Sequence, residues 1–365
     1  MRPGFLRIGG FLDRYVAKLF AQSYLAAFLL VVGLVLILEL AAGIDDYLEP
    51  DENGEAPPLL LVVEYFLLRI PFLYLDMSPY VTLVAGLFTA TKLTRFREVV
   101  AALAAGVSVR RLFAPVLLGA TLLAGGMFLL REWATTSIGQ RRAALHDRLK
   151  ERREAPVLEN FFVVTPTGQR VQIQEYHVGD REIRRLTCQF RDGERQVRVF
   201  AQRATPLEGG RWQLEGAERR ELDANGLSKT APTLLEDVRF ETADVELSYR
   251  GRNEPMTLSF RESRGLLERE PRNRQYRTLL HHHMSFPLAG VVLLLVGLPF
   301  VVRQERGKAG ERVAKGFFLC LMYFGIEFVF RTLGLQGQIP PLFSAWLPVL
   351  GFGALGSVLF FGQRS

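Results

Sequence analysis

Apolar positions gather into long unbroken runs at the two ends of the chain, while the middle alternates short apolar stretches with Arg, Glu and Gln. A helix that crosses a membrane needs about 20 mostly apolar residues to cover about 30 Å of hydrocarbon. Five runs meet that length: Tyr24–Ala42, Leu112–Leu130, Met284–Val302, Val313–Phe330 and Leu342–Phe361. A sixth, less regular run lies between Leu59 and Thr91 and carries Glu64, Arg69, Asp76, Pro71 and Pro79. Its pattern predicts an interfacial approach over Pro57–Arg69 and a crossing over Pro71–Thr91, with the prolines kinking the helix or delaying its start. The pattern as a whole predicts an α-helical membrane protein with six transmembrane helices, arranged three and three around a soluble β-rich insert.

The short loops set the orientation. Arg2, Arg7, Arg14 and Lys18 precede the first run, Lys92, Arg95, Arg97, Arg110 and Arg111 follow the second, and Arg303, Arg306, Lys308, Arg312 and Lys315 follow the fourth. By contrast, residues 43–58 hold Asp45, Asp46, Glu49, Asp51, Glu52 and Glu55 with no Lys or Arg, and residues 332–341 hold no charge. Positive loops stay cytoplasmic, which predicts both termini inside and residues 132–277 outside. The first run is long for a signal peptide, contains Glu39 and lacks a small-x-small cleavage site, so it reads as a span.

Within the insert, residues 132–155 read as a polar helix that continues the third span. Short alternating runs then follow, such as Phe161–Val164, Arg170–Gln174, Gln196–Phe200, Arg211–Leu214 and Asp237–Phe240. Thr167-Gly168, Asp192-Gly193, Gly209-Gly210 and Asn225-Gly226 punctuate them as turns. That pattern predicts an antiparallel sandwich or barrel of jelly-roll size.

The 49% hydrophobic content and mean hydropathy of +0.13 average over these two kinds of segment. The net charge of +7 sits largely in the short basic loops, which argues against nucleic-acid binding. Cys188 and Cys320 stand far apart, with no His or Cys at metal-ligand spacing, and read as unpaired thiols. Gly351-x-Gly353-x-x-Gly356 fits a dinucleotide fingerprint in letters but lies inside an apolar helix, where small residues serve helix packing. Gly307-Lys308 is followed by Ala309, so there is no Walker A loop. His281, His282 and His283 point about 100° apart on a helix and cannot share a metal; they read as an interfacial polar cap on the fourth span. Neither a catalytic constellation nor a metal or cofactor site is expected in this chain.

Two groups of residues remain as candidates. Between the second and third spans, Thr94 reads as a helix N-cap with Arg97 at the third helical position, and Gly106 as the stop. A short helix there, wet on one side, suits either docking of a cytoplasmic partner or simple connection; Glu98 is its acidic knob among Arg95, Arg97 and Arg110. Charges within spans are costly and normally face a cavity or a partner. Glu39, Arg69, Asp76, Glu327 and Arg331 qualify. Arg69, Glu327 and Arg331 read either as the lining of an outward cavity for a charged amphiphile or as interfacial anchors.

Four segments carry a resemblance to a known family. They are Leu12-Asp13-Arg14-Tyr15, the stretch Arg97-Glu98-Val99-Val100 through Gly106-Val107-Ser108, Phe286-Pro287-Leu288 through Gly297-Leu298-Pro299, and Ile339-Pro340-Pro341 with Ala345-Trp346-Leu347-Pro348. With the three-and-three layout, they resemble the LptF/LptG permeases of the lipopolysaccharide-export ABC transporter, leaning towards LptG. The resemblance implies a second LptF/LptG-type permease, with which this chain forms an outward cavity for lipopolysaccharide. It also implies an LptB-type ATPase dimer, which uses the ATP and Mg and docks where Glu98 stands, flanked by Arg97, Arg95 and Gly106. The insert, about residues 156–262, would be a periplasmic jelly roll continued by LptC and LptA through edge-strand pairing. Implied domains are 1–131 with a coupling helix at about 94–109, 132–277, and 278–365. Family members often carry Lys or Arg near the outer end of the first span, where this chain has Glu39, Asp45 and Asp46. That departure leaves phosphate contacts to the partner permease, to Arg69 or Arg331, or to bridging divalent ions, or it points to an unusual headgroup. A membrane-anchored periplasmic binding or assembly module without transport activity is the other reading of the same layout.

Overall fold

A computed structural model describes residues 10–48, 58–139, 141, 145, 157–192, 195–223, 226–235, 237–302 and 309–362. In chain order the helices α1 (Phe11–Leu48), α2 (Leu59–Arg95), α3 (Glu98–Ala104) and α4 (Val109–Trp133) come first, and α4 runs into a π-helical turn at Ala134–Ile138. Strands β1 (Val157–Val164), β2 (Arg170–His177), β3 (Glu182–Asp192), β4 (Arg195–Leu207), β5 (Arg211–Glu215), β6 (Glu218–Asp223), β7 (Gly226–Thr230) and β8 (Leu234–Leu235) follow. The chain closes with α5 (Thr242–Asn253), α6 (Phe260–Arg269), α7 (Arg274–Ser285), α8 (Ala289–Val302), α9 (Ala309–Leu335) and α10 (Pro341–Phe361). Two compact units result. One comprises residues 1–44, 66–134 and 280–365; the other comprises 45–65 and 135–279.

Five helices of the described residues are long and apolar enough to cross a membrane: Phe11–Gly43, Val109–Trp133, Arg274–Val302, Phe318–Leu335 and Pro341–Phe361. Helix α2 is not among them, but it differs from expectation in another way. Its 37 residues run without a break through Pro71 and Pro79, so the prolines neither end the helix nor delay its start. A proline removes one backbone donor, whereas ending a helix in apolar surroundings would strand several, and the helix therefore continues. The central element of this unit is α8, which is buried on nearly all sides and apolar all round, as such a position requires. It approaches its neighbours at small residues: a side chain at Gly290 would lie 3.0 Å from Thr82 of α2, and one at Gly356 of α10 would lie 2.9 Å from Leu295. The three glycines of α10 therefore serve packing at one position at least, and Gly351 faces open space.

The strands expected as a two-sheet sandwich or barrel are hydrogen-bonded into one antiparallel sheet of successive hairpins, ordered β1-β2-β3-β4 and forked beyond β4. β5 and β6 lie end to end along β4 in an unbroken register, with Glu215 opposite Arg203 and Glu218 opposite Phe200. Between them Gly216 takes φ 60°, and a Cβ there would come within 2.9 Å of Gln202, so only glycine fits this bend. β8 then pairs with β5 and β7 with β6.

On the first four strands the buried positions change parity along one line. Phe161, Ile173, Leu186 and Ala201 face each other on one side of it, and Leu158, Tyr176, Ile183 and Ala204 on the other. Consecutive residues at the crossing, such as Glu159-Asn160 and Arg184-Arg185, are exposed, and Asn160 and Arg185 have φ of 52° and 56°. A left-handed residue turns the following side chains to the opposite face, and the sheet keeps its core by doing so in step. The core itself is one cluster that also takes in Trp212, Phe240 and Val245. Trp212 stacks on Phe240 at 5.0 Å between centroids and donates its indole N–H to the Phe240 carbonyl at 2.8 Å. Residues 237–240, expected as a strand, are therefore an irregular segment held by that contact and by the Phe240 N–H to Gly210 O bond of 3.1 Å.

Cys188 and Cys320 are free and buried, and burial pushes the Cys188 thiol up to about 12. The polar helix expected over 132–155, the turns at Gly193 and Asn225 and the charges at 303, 306 and 308 lie largely outside the described residues.

Replacing Gly356 by Val should force α8 and α10 apart and lower stability by about 1–3 kcal/mol, the usual cost of overpacking. Thermal melting in mild detergent reads this directly. Gly351→Ala, with nothing within 4 Å, is the matched control and should melt close to the parent.

Candidate functional site

Helix α3 is a single short element between two long ones, and both of its ends are built by local backbone chemistry. Thr94 does not cap it; its hydroxyl donates to the Ala90 carbonyl at 2.8 Å, inside α2. A threonine in the last turn of an apolar helix satisfies its own donor one turn back. The chain instead turns at Arg97, which occupies the N-cap position with φ 58° and no side-chain cap, and Glu98 becomes the first helical residue rather than a later one. At the other end Gly106 takes φ 78°, its N–H reaches Leu103 O at 3.0 Å, and the Val107 N–H reaches Ala102 O at 2.9 Å. Those two bonds are a Schellman closure, for which glycine is the natural residue.

The inner side of α3, Val99 and Ala102, joins a buried cluster with Val16, Leu19 and Phe20 of α1 and Leu112, Phe113 and Val116 of α4. Its outer side is wet or free: Phe96, Val100 and Leu103 are exposed, as are Arg95 and Arg97. Glu98 sits at the boundary, and the Tyr15 hydroxyl of α1 donates to its Oε1 at 3.0 Å. Tyr15 was visible only as part of a short opening motif; its partner lies 83 residues further on, a distance no local pattern spans. Arg110, at the start of α4, donates to the Phe361 carbonyl at the end of α10 and stands 5.7 Å over that ring. A cation at the last carbonyls of a helix is favourable.

The four charged residues proposed to line a cavity fall into two pairs. Arg69 grips Glu39 with a fork, Nη2 to Oε1 at 3.0 Å and Nε to Oε2 at 3.2 Å. The acidic end of the first helix thus has its cation on α2, which accounts for an acid where a base was expected. Glu327 lies 3.8 Å from Arg331 one turn on and 3.6 Å from His282 Nδ1, ion-pair distances that are too long for hydrogen bonds. His282 and His283 lie on α7 and are 6% and 2% exposed, packed within the protein. The candidate span Arg274–Val302 begins ten residues before the expected Met284. Among the described residues no group of three or more His, Cys, Asp or Glu is placed to hold a metal.

The sequence profile of the lipopolysaccharide export system permease LptF/LptG matches residues 14–361. The chain belongs to this family. No curated protein matches it. Membership makes the chain a multi-pass inner-membrane protein and a transporter subunit rather than an enzyme, with lipopolysaccharide export as the family's role. The match does not separate LptF from LptG. The matched residues include Tyr15, the whole of α3 and both ion pairs.

In this LptF/LptG permease, Arg69→Ala strips Glu39 of its fork. The expected loss is about 0.5–1 kcal/mol, because both side chains are partly exposed. The double exchange Glu39→Arg with Arg69→Glu should recover most of the loss in thermal midpoint. If the double exchange melts as low as the single variants, the pair is not what joins α1 to α2.

Proposed function

We propose that the chain is one of two permeases in an ABC transporter that extracts lipopolysaccharide from the inner membrane, powered by a separate LptB-type ATPase dimer that binds ATP and Mg. A second LptF/LptG-type permease completes the pathway, and LptC and LptA receive the lipid on the periplasmic side. In this reading α2 is the sixth crossing, both termini are cytoplasmic, and the jelly-roll-like β domain, within residues 132–277, is periplasmic.

Several observations support the topology. From Ile70 to Thr91, α2 carries Asp76 as its only charge. Its contacts with α1 run in opposite chain directions: Tyr24 hydroxyl bonds Tyr74 hydroxyl at 2.8 Å, and Glu39 pairs with Arg69. The start of α1, α3, the start of α4 and the end of α10 meet through Tyr15–Glu98 and Arg110–Phe361, as expected if both termini share a side with the basic loops.

The observation that carries the functional reading is Glu98, held by Tyr15 on a helix whose inner face is packed and whose outer face is exposed. A hydroxyl on one carboxylate oxygen leaves the other for a cation of the ATPase, with Arg95, Arg97 and the Gly106 closure shaping the surroundings. The charged pairs Glu39–Arg69 and Glu327–Arg331 border the lipid path; the forked first pair holds α1 to α2, and Arg331 of the looser second pair takes a headgroup phosphate as the path opens.

Glu98→Ala and Glu98→Lys should lower the ATPase recovered with the permease roughly tenfold, the size of a lost charge-assisted contact, with the melting temperature of the permease itself unchanged. Tyr15→Phe should have the same sign and a smaller size, about 0.5–1.5 kcal/mol. Undiminished co-purification and transport by Glu98→Lys would remove Glu98 from the docking surface. Recovery of the chain with neither ATPase nor glycolipid, as judged by mass spectrometry of the parent complex, would favour a membrane-anchored binding module instead.

A further inference from the structure

Where the β1–β2 hairpin meets α5, α6 and the start of α7, the β unit holds a cavity of about 330 Å³ that the transport reading does not use. That volume is at the lower end of ordinary ligand pockets. Its apolar wall is made by Phe162 and Val164 of β1 and Leu266 of α6. Arg252 of α5 lies over the Phe162 ring at 5.6 Å, and among the described residues no carboxylate pairs with it. Glu270 is the single acid of the lining, and it is already engaged by Arg170 at 3.1 Å and by the Asn273 amide at 2.8 Å. The lining therefore carries net positive charge.

Two further features make it a site for an anion. Asn273 Oδ1 accepts the Gln275 N–H at 3.0 Å and so fixes the N-terminus of the 12-residue α7 in the cavity wall, where helix N–H groups and the helix dipole favour negative charge. Ser248 of α5, 4% exposed, lines the same cavity with a hydroxyl that has no hydrogen-bond partner among the described residues. A buried hydroxyl without a partner is costly, and a ligand oxygen would remove that cost.

The elements around the cavity are firmly placed, so the site is preformed. Ser259 and Glu262 form a capping box at the start of α6, and Arg250 of α5 reaches Glu262 at 2.6 Å. Arg269 at the end of α6 reaches Asp244 of α5 at 2.7 Å.

We propose that this cavity binds an amphiphilic phosphomonoester. The phosphate meets Arg252, Ser248 and the α7 N-terminus, and the apolar part lies against Phe162 and Leu266. A phosphate suits the site better than a carboxylate, because donors converge from a guanidinium, a hydroxyl and backbone amides, and a tetrahedral dianion offers three oxygens to them. The site is independent of the docking role of Glu98.

Isothermal titration of hexyl phosphate into the full-length permease in mild detergent tests the proposal, with inorganic phosphate and hexyl glucoside as the two half-ligands. Hexyl phosphate should bind more tightly than either, and Arg252→Ala should weaken it roughly tenfold, the size of a lost charge-assisted contact. Ser248→Ala, which removes one oxygen at constant shape, should weaken it severalfold while the ligand-free protein melts no lower than the parent. Displacement of hexyl phosphate by lipopolysaccharide assigns the phosphate to a lipid headgroup; inorganic phosphate binding as tightly as hexyl phosphate overturns the amphiphile. Equal binding by both variants and the parent, or by hexyl glucoside and hexyl phosphate, overturns the site.

Discussion

Hydrocarbon offers no water to a peptide group, and the helical unit is arranged around that fact. Helix α2 passes both prolines without stopping, because each removes one donor while a break would expose several groups. Hydroxyls within the long helices follow the same rule: Thr82, Thr89, Thr121 and Thr332 each return a hydrogen bond of 2.8 Å to the carbonyl one turn back. Left-handed backbone among the described residues of this unit falls between the long helices, at Arg97, Gly106 and Gly337. The short helix α3 therefore lies between α2 and α4 rather than within either.

The same solvent constrains charge. An ionised side chain in a span needs a partner within reach, and the chain supplies most of its own. Glu39 and Arg69 meet in a two-bond fork, whereas Glu327 is held only at 3.6–3.8 Å by His282 and Arg331. Forked geometry fixes a direction and resists exchange, while a loose contact between a carboxylate, a guanidinium and an imidazole is easily re-formed with a different anion. Of the two pairs, the second is the better suited to admit a phosphate, and the first to hold α1 against α2.

Hydropathy was enough to place the long helices and the β insert, because it depends on local composition. Within the sheet the period-two pattern was readable only in pieces. Phe161–Val164 and Gln196–Phe200 lie on one side of the parity line and alternate cleanly, while β3 crosses the line at Arg185 and was not recognised as a strand. The 237–240 segment has strand-like residues, but Trp212 takes the Phe240 carbonyl, so its order comes from a tryptophan 28 residues upstream. Glu98 stood out by its isolation among arginines, yet nothing near it in the chain pointed to Tyr15. Likewise Glu39 of the first helix looked misplaced until Arg69 supplied its partner. Residue type was legible at the sites; pairing across dozens of residues was not.

Those pairings give helix α1 a particular position under the transport reading. It is one uninterrupted helix of 38 residues, with Tyr15 on Glu98, Tyr24 on Tyr74 and Glu39 on Arg69. Tyr15 and Glu39 are about 36 Å apart along the axis, a little more than the hydrocarbon thickness. Near its first turns, Val16, Leu19 and Phe20 share a packed cluster with Val99 and Ala102 of α3, so α3 cannot shift without pressing on α1. A helix is stiff over that length, and what arrives at Tyr15 as a displacement leaves at Glu39 as a strain on the fork with Arg69. In that reading, movement taken up at α3 reaches the opposite end of the first span through Tyr15–Glu98, Tyr24–Tyr74 and Glu39–Arg69, three contacts made within this chain.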